Sequence, residues 1–199
     1  MKALKFLPLF LSAVVTTSLA TSAFAQSTAQ ETQRNAHQQQ RIEDGLKSGQ
    51  LTVKEAAKLE REEANISRAE SKALKDGKLS DAEKDRIAAM QDRTSHDIHA
   101  EKSDVRHGNP DSVSNQRMQA DVARNLNQQK RIEEGVKNGS LTNKEVAKLE
   151  KGQAKVEHKE AASGHNGHIS ATEQKRIQHA ENKQSKRIHH EKTDKQDRG

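Results

Sequence analysis

The 199-residue chain contains no cysteine, no tryptophan, no tyrosine and only two prolines. Without cysteine there can be no disulfide staple and no thiolate metal centre. The three phenylalanines, Phe6, Phe10 and Phe24, all lie within the first 25 residues. Beyond them the only ring is the imidazole of ten histidines. A surface without aromatics has no platform on which to stack bases, so nucleic acid is not an expected partner. Large aliphatics are scarce as well. About 25 of the roughly 174 residues after position 25 are Ile, Leu, Val or Met, a fraction at which many chains fail to fold. Neither a Gly-x-Ser-x-Gly nor a His-Glu-x-x-His sequence occurs, and so thin a core can hardly enclose a pocket that tunes a catalytic group. A non-enzymatic protein without a cofactor is expected.

What is present begins with a leader. Lys2 and Lys5 precede an apolar stretch from Phe6 to Ala20, and Ala23-Phe24-Ala25 supplies a small-x-small cleavage site before Gln26. That pattern is a signal peptide over 1–25, too short in its apolar part for a spanning helix, which needs about 20 residues. No later segment is apolar enough to cross a bilayer. The expected location is therefore the periplasm or the exterior.

The chain then repeats itself. At an offset of 90 residues, 38–104 aligns with 128–194 without a gap, with about 29 identities in roughly 67 positions. Arg41-Ile42-Glu43 returns as Arg131-Ile132-Glu133, Lys58-Leu59-Glu60 as Lys148-Leu149-Glu150, and Arg86-Ile87 as Arg176-Ile177. Such similarity marks an internal duplication.

A shorter pattern occurs twice in each copy: glycine, any residue, an aliphatic, a hydroxyl, two residues, glutamate. Its four instances start at Gly49, Gly77, Gly139 and Gly167. The glycine suits the left-handed turn that ends a helix. The Ser or Thr suits the next N-cap, and the glutamate three positions on completes a capping box. Each instance reads as helix, turn, helix. The expected fold is all-α, two tandem three-helix repeats of antiparallel helices joined by these turns.

Apolar spacing agrees with helices. Ile42 and Leu46 are four apart, and the second copy runs Met118, Val122, Leu126, Gln129, Ile132, Val136. The middle helices carry Ala56, Leu59, Ile66 and Ala73, then Val146, Leu149 and Val156. The third helices carry Ala82, Ile87, Met90 and Ile98, then Ile177, Ala180 and Ile188. The resulting organisation is a first helical repeat over 26–102, a linker over 103–116 with Gly108 and Pro110, a second repeat over 117–192 and a tail over 193–199.

The Arg-Ile-x-x-Gly element followed by Gly-x-Leu-Thr-x-x-Glu resembles a group of small exported proteobacterial helical-repeat proteins. The resemblance spans both copies and implies an exported helical protein with no particular activity. A fainter likeness to periplasmic chaperones with Leu-Thr-x-x-Gln repeats is accounted for by the capping box.

Two chemistries compete for a role. Lys and Arg number 35 against 29 Asp and Glu, a formal net charge of +6, or about +4 once Lys2 and Lys5 are removed. Such interleaved charge suits an interaction or structural protein, chaperone-like or envelope-stress related, whose partners are other proteins or anionic envelope components. The alternative is divalent-metal binding by the histidine-rich second copy, with His165 and His168 as the best pair. Asp76-Gly77-Lys78-Leu79-Ser80 with Glu83 also matches the second half of a calcium loop, but Lys72 and Leu74 stand at its first and third ligand positions, so the capping box is the better reading.

Overall fold

A computed structural model describes residues 18–194 of the chain. Residues 1–17, which hold most of the expected leader, and 195–199, most of the expected tail, lie outside the described residues; 18–25 form the start of the first helix. The described residues are all-helical: α1 Ser18–Lys47, α2 Val53–Ala73, α3 Asp81–Ser103, α4 Val113–Lys137, α5 Asn143–Gly164 and α6 Ala171–Thr193, with a single 3-10 turn at Leu74–Asp76. No helix among them is long and apolar enough to cross a membrane.

Four of the five junctions are built by the same local chemistry. Thr52, Ser80, Thr142 and Ser170 each cap the following helix through the side chain, and the glutamate three residues on returns a bond to the cap backbone. Gly49, Gly77, Gly139 and Gly167 hold φ between 74° and 91°, a conformation only glycine adopts without a Cβ penalty. The aliphatic between glycine and cap (Leu51, Leu79, Leu141 or Ile169) is fully buried. The linker is shorter than its lack of periodicity implies. Ser112 accepts from Asn115 N and starts α4 at Val113, so polar residues without a stripe still form a first turn once capped.

The aliphatic seams do not close within each half of the chain. The most extensive helix pairings are α2 on α5 and α1 on α4. One core cluster joins Ile42, Leu46, Leu51, Leu59 and Ile98 to Met118, Val122 and Ile169. The other joins Leu74, Leu79 and Ile87 to Ile132, Val136, Leu141, Leu149 and Ile188. The end of α1 thus meets the start of α4, and both pairings run antiparallel. Gly164 lets α5 approach closely at one end: a Cβ there would lie 2.9 Å from Ala57 Cβ and 2.7 Å from Met118 Cε. With so few aliphatics, neither half can complete a core alone, and each cluster draws on both.

Residues 90 apart in sequence meet face to face. Ser67 Oγ donates to Glu157 Oε2 at 2.9 Å, and Lys130 Nζ donates to Gln40 Oε1 at 3.4 Å.

The caps make a direct prediction. Thr52→Ala and Thr142→Ala each remove the acceptor for an otherwise orphaned helix N–H and are expected to cost about 1 kcal/mol. Thermal melts followed by circular dichroism check this, and unchanged midpoints in both variants contradict the capping account.

Candidate functional site

Between the two aliphatic clusters the inward faces turn polar. The buried stripe of α2 passes from Ala56 and Leu59 through Glu60, Glu63, Ser67 and Glu70 before reaching Ala73. That of α5 runs from Val146 and Leu149 through Glu150, Gln153, Glu157 and Glu160 to Ala161. None of these six glutamates is more than 1% exposed. Asp121 of α4 and Glu181 of α6 are fully buried beside them. The spacing of three and four residues is that of a core stripe, but carboxyls occupy it.

The layer is cross-linked between helices. Glu60 of α2 pairs with Glu160 of α5, and Glu70 of α2 pairs with Glu150 of α5, the same two sequence positions with the halves exchanged. Asn35 Nδ2 on α1 donates to both Glu70 oxygens at 2.9 and 2.8 Å, as Asn125 on α4 donates to Glu160. Gln39 Nε2 donates to Glu60 Oε2 at 3.2 Å and Gln129 Nε2 to Glu150 Oε2 at 3.4 Å. From α3, Gln91 Nε2 reaches Asn35 Oδ1 at 2.7 Å; from α6, Gln184 Nε2 reaches Leu149 O at 2.9 Å.

Counter-charge is nearly absent. Among the described residues no lysine, arginine or histidine is buried. The half-exposed Arg124, with Nε 3.2 Å from Glu181 Oε2, touches the layer from its edge. Ionised carboxylates without cations are prohibitively costly at such depth, so the groups hold their protons instead. Burial pushes Glu60 up to about 7 and, with neighbouring Glu157, Glu150 up to about 8. Burial likewise raises Asp121 to about 7 and, with Asp121 beside it, Glu181 to about 8. Glu63, Glu70, Glu157 and Glu160 are pushed well above the usual carboxylate range, by burial first and by other carboxyls second.

Hydrogen-bond accounting leads to the same protonation state. Oε1 of Glu60, Glu63, Glu150, Glu157 and Glu160 accepts nothing, and the amide oxygens of Gln39, Gln129 and Gln153 are buried without a donor. Acceptor facing acceptor is unfavourable. A proton on a carboxyl turns one acceptor into the donor that its neighbours lack.

The outer surface is of opposite character. A groove of about 540 Å³ between α2 and α3 is lined by four cations, Arg68, Lys72, Arg86 and Arg93, and one carboxylate, Glu83, with Ala69, Ala73, Ile87 and Met90 beneath. All four cations are exposed, and none forms an ion pair among the described residues. A smaller groove of about 340 Å³ between α5 and α6 is lined by Lys159, Lys175, Arg176 and His179.

His165 and His168 lie exposed at the turn between α5 and α6. The Nδ1 of His165 lies 2.7 Å from Ala162 O, and that of His168 2.6 Å from Ser114 Oγ. Among the described residues, the groups of three or more side chains placed to hold a metal are Glu55, Glu101, Asp104 and Glu145, Glu191, Asp194, and neither contains a histidine. No family model, curated protein or solved structure matches the chain.

The buried layer fixes the pH dependence of stability. Its carboxyls keep protons in the folded chain that the unfolded chain releases above about pH 4.5, so unfolding releases protons and stability falls as pH rises. Each such group contributes about 1.4 kcal/mol of loss per pH unit between its unfolded and folded values. The melting temperature is expected to be highest near pH 5 and to fall steadily through pH 8. Glu157→Gln is expected to flatten that fall; a midpoint that rises from pH 5 to pH 8 contradicts the assignment.

Proposed function

We propose that this chain is an exported, non-enzymatic protein that binds anionic components of the cell envelope through its basic outer surface. The proposal rests on one observation: eight carboxyls are withdrawn into the buried layer, while no described lysine or arginine is buried. After loss of the leader the formal charge is about +4. With the eight layer carboxyls protonated, it approaches about +12, all of it on the surface. The protein therefore presents itself to a partner as far more basic than its composition states.

The fold that carries this surface is read as a tandem duplication, two three-helix copies that clasp each other across the contact of Ser67 with Glu157. The leader pattern of Lys2, Lys5 and Ala23-Phe24-Ala25 supports export to the periplasm or beyond. The lack of an enzymatic role is supported by burial. The eight layer carboxyls with raised proton affinity are sealed from any substrate, and general acid catalysis needs contact with one.

The groove between α2 and α3 is the best-defined contact. Four exposed cations over a floor of Ile87, Met90 and two alanines suit an anionic amphiphile, with phosphate against guanidinium and the first methylenes against the aliphatics. The ligand class is thus an anionic lipid headgroup at a membrane surface. Co-sedimentation with phosphatidylglycerol vesicles, compared with phosphatidylcholine vesicles, tests it. Binding to the anionic vesicles alone is expected, weakening several-fold as salt rises and again in Arg86→Glu/Arg93→Glu, whose positions are exposed. Equal binding to neutral vesicles, or none at low salt, refutes the proposal. Retention only by a soluble polyanion moves the ligand from lipid to envelope polymer and refutes the lipid assignment.

A further inference from the structure

The outer surface that α2 and α5 share carries charge of one sign. Apart from Asn65, every exposed residue of α2 is a cation: Lys54, Lys58, Arg61, Arg68 and Lys72. On α5 the exposed residues are Lys144, Lys148, Lys151, Lys155 and Lys159, joined only by His158 and Ala162. Eight of the nine glutamates on these two helices are buried. The ninth, Glu62, is half-buried and turned toward Thr94 and Asp97 of α3. Lys58 and Lys148 reach across to Glu101 and Glu191 on the third helices. The other eight cations form no ion pair among the described residues. Like charges three and four residues apart repel along a helix, and neither helix exposes a carboxylate to relieve them.

The two rows lie side by side on one side of the molecule. α2 and α5 form the most extensive pairing, and Asn143 Nδ2 at the start of α5 donates to Gly77 O just past the end of α2 at 3.0 Å. Near the start of α2, a groove of about 380 Å³ is lined by Lys54, Lys58 and Arg61 together with Ala161 and His165 from the other half. Its carboxylates, Glu55 and Glu101, are met by Arg106. α1 and α4 pair with each other behind the acid layer, into which they donate through Asn35 and Asn125. Among the described residues, their exposed charges nearly cancel, with Asp44 and Glu134 against Lys47, Lys130 and Lys137. Each cationic row extends for about 25 Å at the helical rise, and packed helix axes lie about 8–10 Å apart. The rows also run into both basic grooves, since Arg68 and Lys72 line one and Lys159 the other.

We propose that the α2/α5 face is the seat of this protein on an anionic bilayer, with both halves engaging one leaflet at the same time. This rests on the reading of the basic surface as a receptor for anionic headgroups, and it adds which face docks and in what orientation. A planar array of cations complements a planar array of phosphates, and the attraction sums over every lysine and arginine brought within a Debye length. The near-neutral α1/α4 face offers no comparable attraction, so it points away from the bilayer. A single leaflet reaches both grooves, and the protein does not bridge two bilayers.

Binding of the full chain to phosphatidylglycerol vesicles tests the seat, with circular dichroism confirming that each variant is folded. Lys151→Glu/Lys155→Glu, on α5 and outside both grooves, is expected to weaken binding at least tenfold. Lys130→Glu/Lys137→Glu changes the net charge equally on the α1/α4 face and is expected to weaken it less than twofold. An α5 pair that binds as tightly as the α4 pair overturns the proposal. If Arg86→Glu/Arg93→Glu loses binding in that case, the anionic-lipid reading stands and the seat alone falls; no binding by the wild type removes both. Because the chain has no cysteine, a neutral dye on Asn65→Cys or Asn127→Cys, both exposed positions, reports orientation without reversing a charge. Vesicles are expected to shield the dye at 65 from acrylamide and to leave the dye at 127 open. Equal shielding at both positions, or clumping of vesicles by the wild type in light scattering, contradicts a single seated face.

Discussion

Neutral carboxyl groups, paired with one another and with amides in the middle of a helical bundle, are the interaction on which this structure depends. A chain with about 25 large aliphatics after position 25 cannot line six helices of more than 20 residues with hydrocarbon. It places aliphatics at the two ends, where turns need stapling, and fills the middle with Glu, Gln and Asn. Those residues are strong helix formers or ready hydrogen-bond partners, and they match side-chain volume without aromatics. The arrangement is stable only while the carboxyls hold their protons, since ionised groups at that depth would repel one another without compensation. Protonation is thus part of the fold. It is also a source of specificity: Asn35 on Glu70 and Asn125 on Glu160 fix the register of α1 on α2 and of α4 on α5 in a way that sliding aliphatic seams do not.

The same segregation shapes the exterior. Every carboxyl withdrawn into the layer leaves a lysine or arginine outside without its compensating charge, and the formal balance of charges conceals this. The two grooves between second and third helices are where the excess concentrates, with Arg68, Lys72, Arg86 and Arg93 on one and Lys159, Lys175 and Arg176 on the other. Divergence between the halves is equally informative. Ser67 stands where the other half has Glu157, so their contact joins one carboxyl to one hydroxyl donor.

The local structure was legible in the sequence because its causes are local. Glycine, aliphatic, hydroxyl and glutamate at fixed offsets specify a turn and a capping box, and all four instances have the expected geometry. The aliphatic stripes also locate buried positions on every helix, although Ala82 is exposed and Met90 and Ala180 are only half-buried. The pairing of α2 with α5 and α1 with α4 was not legible, since periodicity identifies an inward face and not its partner. The acid layer was missed because glutamate on a helix ordinarily marks the solvated face. One signal was available. Glu60, Glu63, Ser67 and Glu70 continue the spacing of Ala56 and Leu59, and Gln129 interrupts an otherwise aliphatic stripe in α4. A polar residue in phase with the core is the mark of a buried polar layer.

The central claim is that these carboxyls are protonated within the folded chain near neutral pH. A carbon-13 NMR titration of the glutamate side-chain carboxyls between pH 4 and pH 9 measures this directly. The account predicts two populations, one titrating in the ordinary carboxylate range and a second, including Glu60 and Glu150, titrating near pH 7 to 8. A single population titrating near pH 4.5, with the helical fold intact throughout, would contradict it.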